Sequence, residues 1–346
     1  MHPYRVFVSY SREDRELASK LVEQMASVGL VPVWDKNIRP GDRFSDKIKH
    51  GIAHAHAFLA VLTPRSARRP WVHQETGYAM GLDIPVIPLA IGTVPKEMTR
   101  ELEAMTVRDG LADLRPAALA ESVEQLLRRD THESDATYQC AAFPEQRADY
   151  IARYAREALA EKASGPLRQA GAMSSFCLPS DPPSHEVWRR RDEPVERGDS
   201  LRQFQYQERL ALDSYVRRNG CCLVINPYRA RPPLSQTAVR TRLATLLAFL
   251  EDPDVTNVRV VMNPLAAAGT LTIVGDWFSA ESIVPRPGKG YYQTMFTWHA
   301  PSVLKKIHQY DREFDRMFRQ RGLDPESSRK AAADEVKRAM DEAADA

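Results

Sequence analysis

Trp71 and Glu75 are four residues apart in a stretch with helical character, so their side chains stack on one face of a helix, and Tyr78 continues that face. The result is an aromatic wall beside a carboxylate. A carboxylate so placed can stabilise positive charge that develops next to it. The pair taken alone has a plainer reading too, as a core tryptophan and a surface glutamate. His73, between them, points to another face of the helix and is read as a surface residue.

Other residue types offer less. His50 and His54 lie one helical turn apart with His56 near, the spacing of two metal ligands. No third ligand is placed to complete a site, so these histidines are read as facing solvent or packing near a sheet edge, and no metal is expected. The chain has no Gly-x-Ser-x-Gly turn to carry a serine nucleophile. Pro287-Gly288-Lys289-Gly290 lacks the spacing of a phosphate-binding loop and reads as a turn.

The elements that must hold Glu75 follow from the apolar pattern. Val6-Phe7-Val8 opens as a strand. Ser11 with Asp14 can cap the helix that carries Leu17, Leu21, Met25 and Val28 on one face and stops at Gly29. Val31 to Trp34 is a second strand, whose Pro32 argues for an edge or a strand start. A polar loop, Asp35 to Arg43, leads to a helix over 44–55. Ala57 to Leu62 is a continuous apolar strand of the kind buried on both faces of a parallel sheet. A helix from Trp71 to Met80, a strand from Val86 to Leu89, and helices over 96–105 and 117–127 complete the unit.

A length of 346 residues predicts two domains. The boundaries read as 1–130, a connector of irregular and helical character over 131–199, and a second α/β domain with a helical tail over 200–346. Beyond residue 130, helices are expected over 148–162 in the connector and over 201–218, 237–250, 300–321 and from Pro325 on in the second domain. Strands are expected over 222–225, 258–262, 270–274 and 293–297.

Hydrophobic content of 43% and charged content of 27% are those of a globular protein, and no apolar run is long enough to span a bilayer. A net charge of +2 argues against nucleic acid as a partner, and the run Arg189-Arg190-Arg191 is followed at once by Asp192 and Glu193. The N-terminus lacks a basic-then-apolar leader, and four cysteines without paired CxxC spacing read as buried reduced thiols. Both features point to the cytoplasm.

Phe7-Val8-Ser9-Tyr10-Ser11, the loop Ile38-Arg39-Pro40-Gly41-Asp42-Arg43-Phe44, the strand ending Leu62-Thr63-Pro64, and Trp71-Val72-His73-Gln74-Glu75 resemble successive boxes of the TIR (Toll/interleukin-1 receptor) family. The likeness covers a little over a third of the chain. It implies a flavodoxin-like α/β domain with a parallel sheet. It also implies, through a glutamate at the position of Glu75, the NAD-cleaving branch of the family, in which NAD is the substrate and no cofactor is needed. Nicotinamide is already a cationic leaving group, so catalysis needs mainly a carboxylate to stabilise the oxocarbenium-like ribose. By the same resemblance Tyr10, Arg12, Phe44 and Trp71 would line the NAD pocket, with Arg12 available to a pyrophosphate or ribose.

Bacterial proteins that look like this, with an N-terminal TIR domain and a variable C-terminal domain, act in anti-phage defence. The resemblance therefore implies self-association through TIR domains, a moving loop over Asp35–Phe44, and an activating ligand or protein at the C-terminal domain. The product is left open between ADP-ribose and a cyclic variant. Two other readings stay open: a non-catalytic TIR module, either a scaffold or a mimic of host TIR signalling, and a deoxyribosyltransferase-like enzyme with a catalytic glutamate. Gly275-Asp276-Trp277, Gln293-Thr294 and Phe314-Asp315 faintly resemble half of a phospholipase D-like domain. The His-x-Lys-x4-Asp motif is absent, since Pro301 and Tyr310 stand two residues after His299 and His308, so no phosphodiesterase activity is expected there.

Overall fold

Five short apolar runs in the first part of the chain form one sheet in the computed structural model. The model describes residues 3–34, 46–66, 70–92, 104–107, 110–129, 139–171, 175–177, 195–228, 236–263, 270–283 and 293–345. Its contacts divide the chain into two units, Met1–Ala136 with Trp298–Ser302, and Thr137–Thr297 with Val303–Ala346.

The first unit runs β1 (Arg5–Ser9), α1 (Arg15–Ser27), β2 (Val31–Val33), α2 (Asp46–Ala53), β3 (Ala57–Leu62), α3 (Pro70–Gly81), β4 (Val86–Ile91), β5 (Met105–Val107) and α4 (Pro116–Arg129). The strands pair in the order β2-β1-β3-β4-β5, and every pairing is parallel. This is the expected flavodoxin-like α/β order, and it reverses direction between β1 and β3. In open sheets of this type, ligands bind at the carboxyl ends of the strands beside that reversal.

β1 and β3 are buried along their whole length, as central strands covered by helices should be. β2, with exposed Val31 and a proline that cannot donate to a ladder, is the edge strand. Phe7, Phe58, Ala60 and Leu62 alternate onto one face of the sheet. There they pack with Ile48 and Ile52 of α2 and with Val72 and Ala79 of α3.

Two local expectations are corrected. Neither Ser11 nor Asp14 makes a side-chain capping bond at the start of the first helix. The Asp14 carboxylate is taken instead by Thr63, across the loops. Met105 belongs to β5 rather than to a helix, because its strand pairs with the otherwise open edge of β4 through Leu89, Ala90 and Ile91. Residues 96–103 of that expected helix lie outside the described residues.

The second unit runs β6 (Gln139–Ala141), α5 (Pro144–Ala160), β7 (Leu167–Gly171), a 3-10 turn (Ser175–Cys177), α6 (Val195–Asn219), β8 (Cys221–Ile225), α7 (Gln236–Glu251), β9 (Val258–Met262), β10 (Leu271–Val274), β11 (Phe278–Ile283), β12 (Gln293–Thr297), α8 (Ala300–Gln320) and α9 (Pro325–Asp345). Its seven strands order as β6-β12-β11-β10-β7-β8-β9, with β7, β8 and β9 parallel and the remaining pairings antiparallel. Residues 139–177, expected as connector with a helix over 148–162, thus supply β6 and β7 of this sheet as well as that helix, α5. β7 escapes the apolar pattern because its polar side chains are satisfied from afar. Arg168 grips Asp311 of α8 through two bonds of 2.7 and 2.8 Å, while Gln169 bonds Ser175 and Thr272.

Register separates the two faces of this sheet. Arg168 lies opposite Ile273 and Cys222, on the face where Val303, Ile307, Tyr310, Phe314 and Phe318 of α8 form an apolar stripe. Gln169 and Thr272 belong to the other face. There Ser175 donates to Glu208 of α6 at 2.8 Å, and Glu208 pairs with Arg147 of α5 at 3.1 Å. The tight turn into β11 needs Gly275: its φ is +54°, and a Cβ would lie 2.3 Å from the Tyr215 hydroxyl. No helix among the described residues is long and apolar enough to cross a membrane.

All four cysteines are free thiols, but the expectation that all are buried holds for Cys177, Cys221 and Cys222 only. Cys140 is exposed, because β6 is a three-residue edge strand. Burial pushes the Cys221 and Cys222 thiols above their ordinary range, so neither forms a reactive thiolate near neutral pH. Titration of the native protein with an aromatic disulfide reagent at pH 8 should therefore modify one thiol quickly and the other three only in denaturant. Two or more fast thiols would contradict the burial described.

Candidate functional site

The stripe that α3 turns to the sheet is Val72, Glu75, Thr76 and Ala79, with the i, i+3, i+4, i+7 spacing of a core-facing helix. Three of these residues suit a core, and the fourth is a carboxylate. Glu75 is 2% exposed, which removes the plainer reading of it as a surface residue. A buried carboxylate needs hydrogen-bond donors, since desolvation without them costs several kcal/mol.

One donor comes from the last residue of β1. The Ser9 hydroxyl, itself 1% exposed, donates to Glu75 Oε2 at 2.5 Å. The pairing follows from strand alternation. Ser9 points to the same face as Phe7, two residues before it, and lies in register with small Ala60 of β3. Together Ser9 and Ala60 leave room under α3 at the carboxyl ends of the two strands that flank the reversal of strand order. The glutamate and the end of β1 meet where the fold favours a ligand site.

The other described candidates lie on α3 and at the exit of β1. Trp71 and Tyr78 are half-buried and pack against the cluster that contains Phe7, Phe58 and Val72, so the aromatic wall is part core and part surface. Burial raises the Tyr78 phenol above its ordinary range, leaving it neutral at physiological pH. Tyr10 follows Ser9 directly, half-buried, with its ring 5.9 Å from that of Trp34 at the end of β2. Arg12 is exposed in the 3-10 turn Arg12–Asp14 that leaves β1. Phe44 and the whole Asp35–Phe44 loop lie outside the described residues.

The histidines differ in placement, and His50 alone faces solvent as read. His73 flanks the buried stripe of α3 and is half-buried rather than on the surface. His50 is exposed with its ring 4.4 Å from that of His54, while His54 and His56 are buried. His56 Nδ1 accepts the Arg5 backbone N–H at 2.9 Å, which ties the loop before β3 to the start of β1.

A second polar contact fixes the loops on either side of the reversal. Thr63, just after β3, donates to the buried Asp14 carboxylate at 2.7 Å and accepts the backbone N–H groups of Arg65 and Ser66. The Ser66 hydroxyl in turn caps the Thr63 N–H at 2.7 Å. The exits of β1 and β3 are thereby locked to each other. Sequence reasoning assigned no role to Ser9 or Thr63 as side chains. The available signal was a small hydroxyl residue closing each of two apolar strands, at the end where such sheets bind ligands.

Thr63→Val keeps the shape of the side chain and removes the hydroxyl, leaving Asp14 buried without that donor. We expect unfolding of the first unit in urea, followed by circular dichroism, to show a loss of about 1–3 kcal/mol. An unchanged midpoint would mean that the contact does not hold the loops.

Residues 6–127, which span β1 to α4, match the family model described as TIR domain. No curated protein matches the chain. With its 2-1-3-4-5 parallel sheet and its boxes in order, the N-terminal third of this chain is a TIR domain.

Proposed function

We propose that this TIR domain is an NAD glycohydrolase with Glu75 as its catalytic carboxylate. The observation that carries the proposal is a glutamate on the buried stripe of α3, 2% exposed and bonded to the end of β1 beside the reversal of strand order. A module that only binds other TIR domains gains nothing from a carboxylate there, where an aliphatic side chain would complete the core.

The chemistry balances with few parts. The bond between ribose C1′ and the nicotinamide nitrogen breaks, its electron pair neutralises the pyridinium, and positive charge moves onto the ribose. Glu75 stabilises that charge. Water then adds to C1′ and loses a proton, giving ADP-ribose; attack by an atom of the substrate itself gives a cyclic product instead. Trp71 and Tyr10 offer aromatic surface for the nicotinamide or adenine ring, Phe44 joins them by family resemblance, and exposed Arg12 can meet the pyrophosphate.

The second unit has its own sheet, core and polar network and no residue of the proposed chemistry, which suits a regulatory part that takes an activating ligand or protein. The resemblance to bacterial TIR proteins supports a role in anti-phage defence, with TIR–TIR association proposed to switch the NAD site on.

Purified protein should release nicotinamide from NAD when concentrated. Glu75→Gln, which keeps size and hydrogen-bonding capacity, should lower that rate by about 100-fold or more while the circular dichroism spectrum stays unchanged. Mass spectrometry of the second product decides between linear and cyclic ADP-ribose. Equal rates from Glu75→Gln and wild type would overturn the assignment, and NAD left intact by the crowded wild type, both purified and inside cells that express it, would favour a TIR module that only binds.

A further inference from the structure

We infer that Ser9 is a positioning residue for Glu75, a role that rests on the NAD-cleaving reading above. Its hydroxyl donates to Oε2 at 2.5 Å from the terminal position of a central strand, and both residues are almost fully buried. A glutamate has three rotatable bonds, so its carboxylate sweeps a wide arc unless something outside its own helix fixes it. Ser9 has one such bond and sits at the end of β1, in register with Ala60 of β3.

Phe7, Phe58, Ala60 and Leu62 on this face of the sheet and Val72 of α3 are apolar. Ser9 brings a hydroxyl to Glu75 from among them. Ala60, in register beside it, has too small a side chain to reach the carboxylate. A displacement of about 1 Å in a reacting group costs on the order of 100-fold in rate, so loss of this contact should be read mainly in turnover.

The test compares Ser9→Thr with Ser9→Val, nearly equal in shape and different only in the hydroxyl, alongside Ser9→Ala and Glu75→Gln, all in the full-length chain with NAD as substrate. We expect Ser9→Thr to keep most of the turnover. Ser9→Val and Ser9→Ala should lose roughly 10- to 100-fold in kcat with KM shifted no more than about threefold. A purely structural serine would lower the melting temperature of Val and Ala variants without lowering kcat in the protein that remains folded. Equal kcat in the Thr and Val variants, with Glu75→Gln inactive, would overturn the role of Ser9 and leave the enzyme assignment standing. Full activity in Glu75→Gln would remove the assignment itself, and the role of Ser9 with it.

Discussion

A carboxylate held under a helix, at the end of a parallel sheet, is the constraint around which the first domain is organised. Burying Glu75 to 2% exposure puts a desolvation cost of several kcal/mol into an otherwise apolar face. The fold meets that cost with a donor on β1 and with small residues at the strand ends. β1 and β3 run in register with Ser9 beside Ala60, and the exits of those strands are tied through Asp14 and Thr63. Proteins break the rule of an apolar core chiefly where function requires it, and the buried Glu75 fits the catalytic role proposed for it.

Much of this was legible in the sequence, and the reason is locality. β1, β3 and β4 are short apolar runs, and the Trp71–Glu75 spacing fixes a helix face whatever surrounds it. What was not legible lies in pairings between distant residues. Ser9 and Glu75 are 66 positions apart, and a serine closing a strand reads the same whether or not a carboxylate waits above it. Asp14 looks like a helix cap until Thr63, 49 positions on, takes its oxygen. β7 is polar in sequence because Arg168 answers Asp311, 143 positions away.

The second domain shows that limit most clearly. Its sheet mixes three parallel strands with four joined antiparallel, and its buried polar network links α5, the 3-10 turn and α6 through Arg147, Ser175 and Glu208. None of these residues forms a motif by spacing. Each makes sense only once the strands are assembled, so a regulatory role for this domain rests on its separateness from the proposed chemistry rather than on any residue pattern.

The decisive experiment is a crystal structure of the full chain with a carbocyclic NAD analogue, in which carbon replaces the ring oxygen of the nicotinamide ribose, so that no oxocarbenium ion can form and the C1′–N bond stays intact. The nicotinamide-bearing carbon should lie within contact of the Glu75 carboxylate at the carboxyl ends of β1 and β3, with Ser9 still bonded to Oε2. An analogue bound elsewhere, or one whose reactive carbon is out of reach of Glu75, would contradict it.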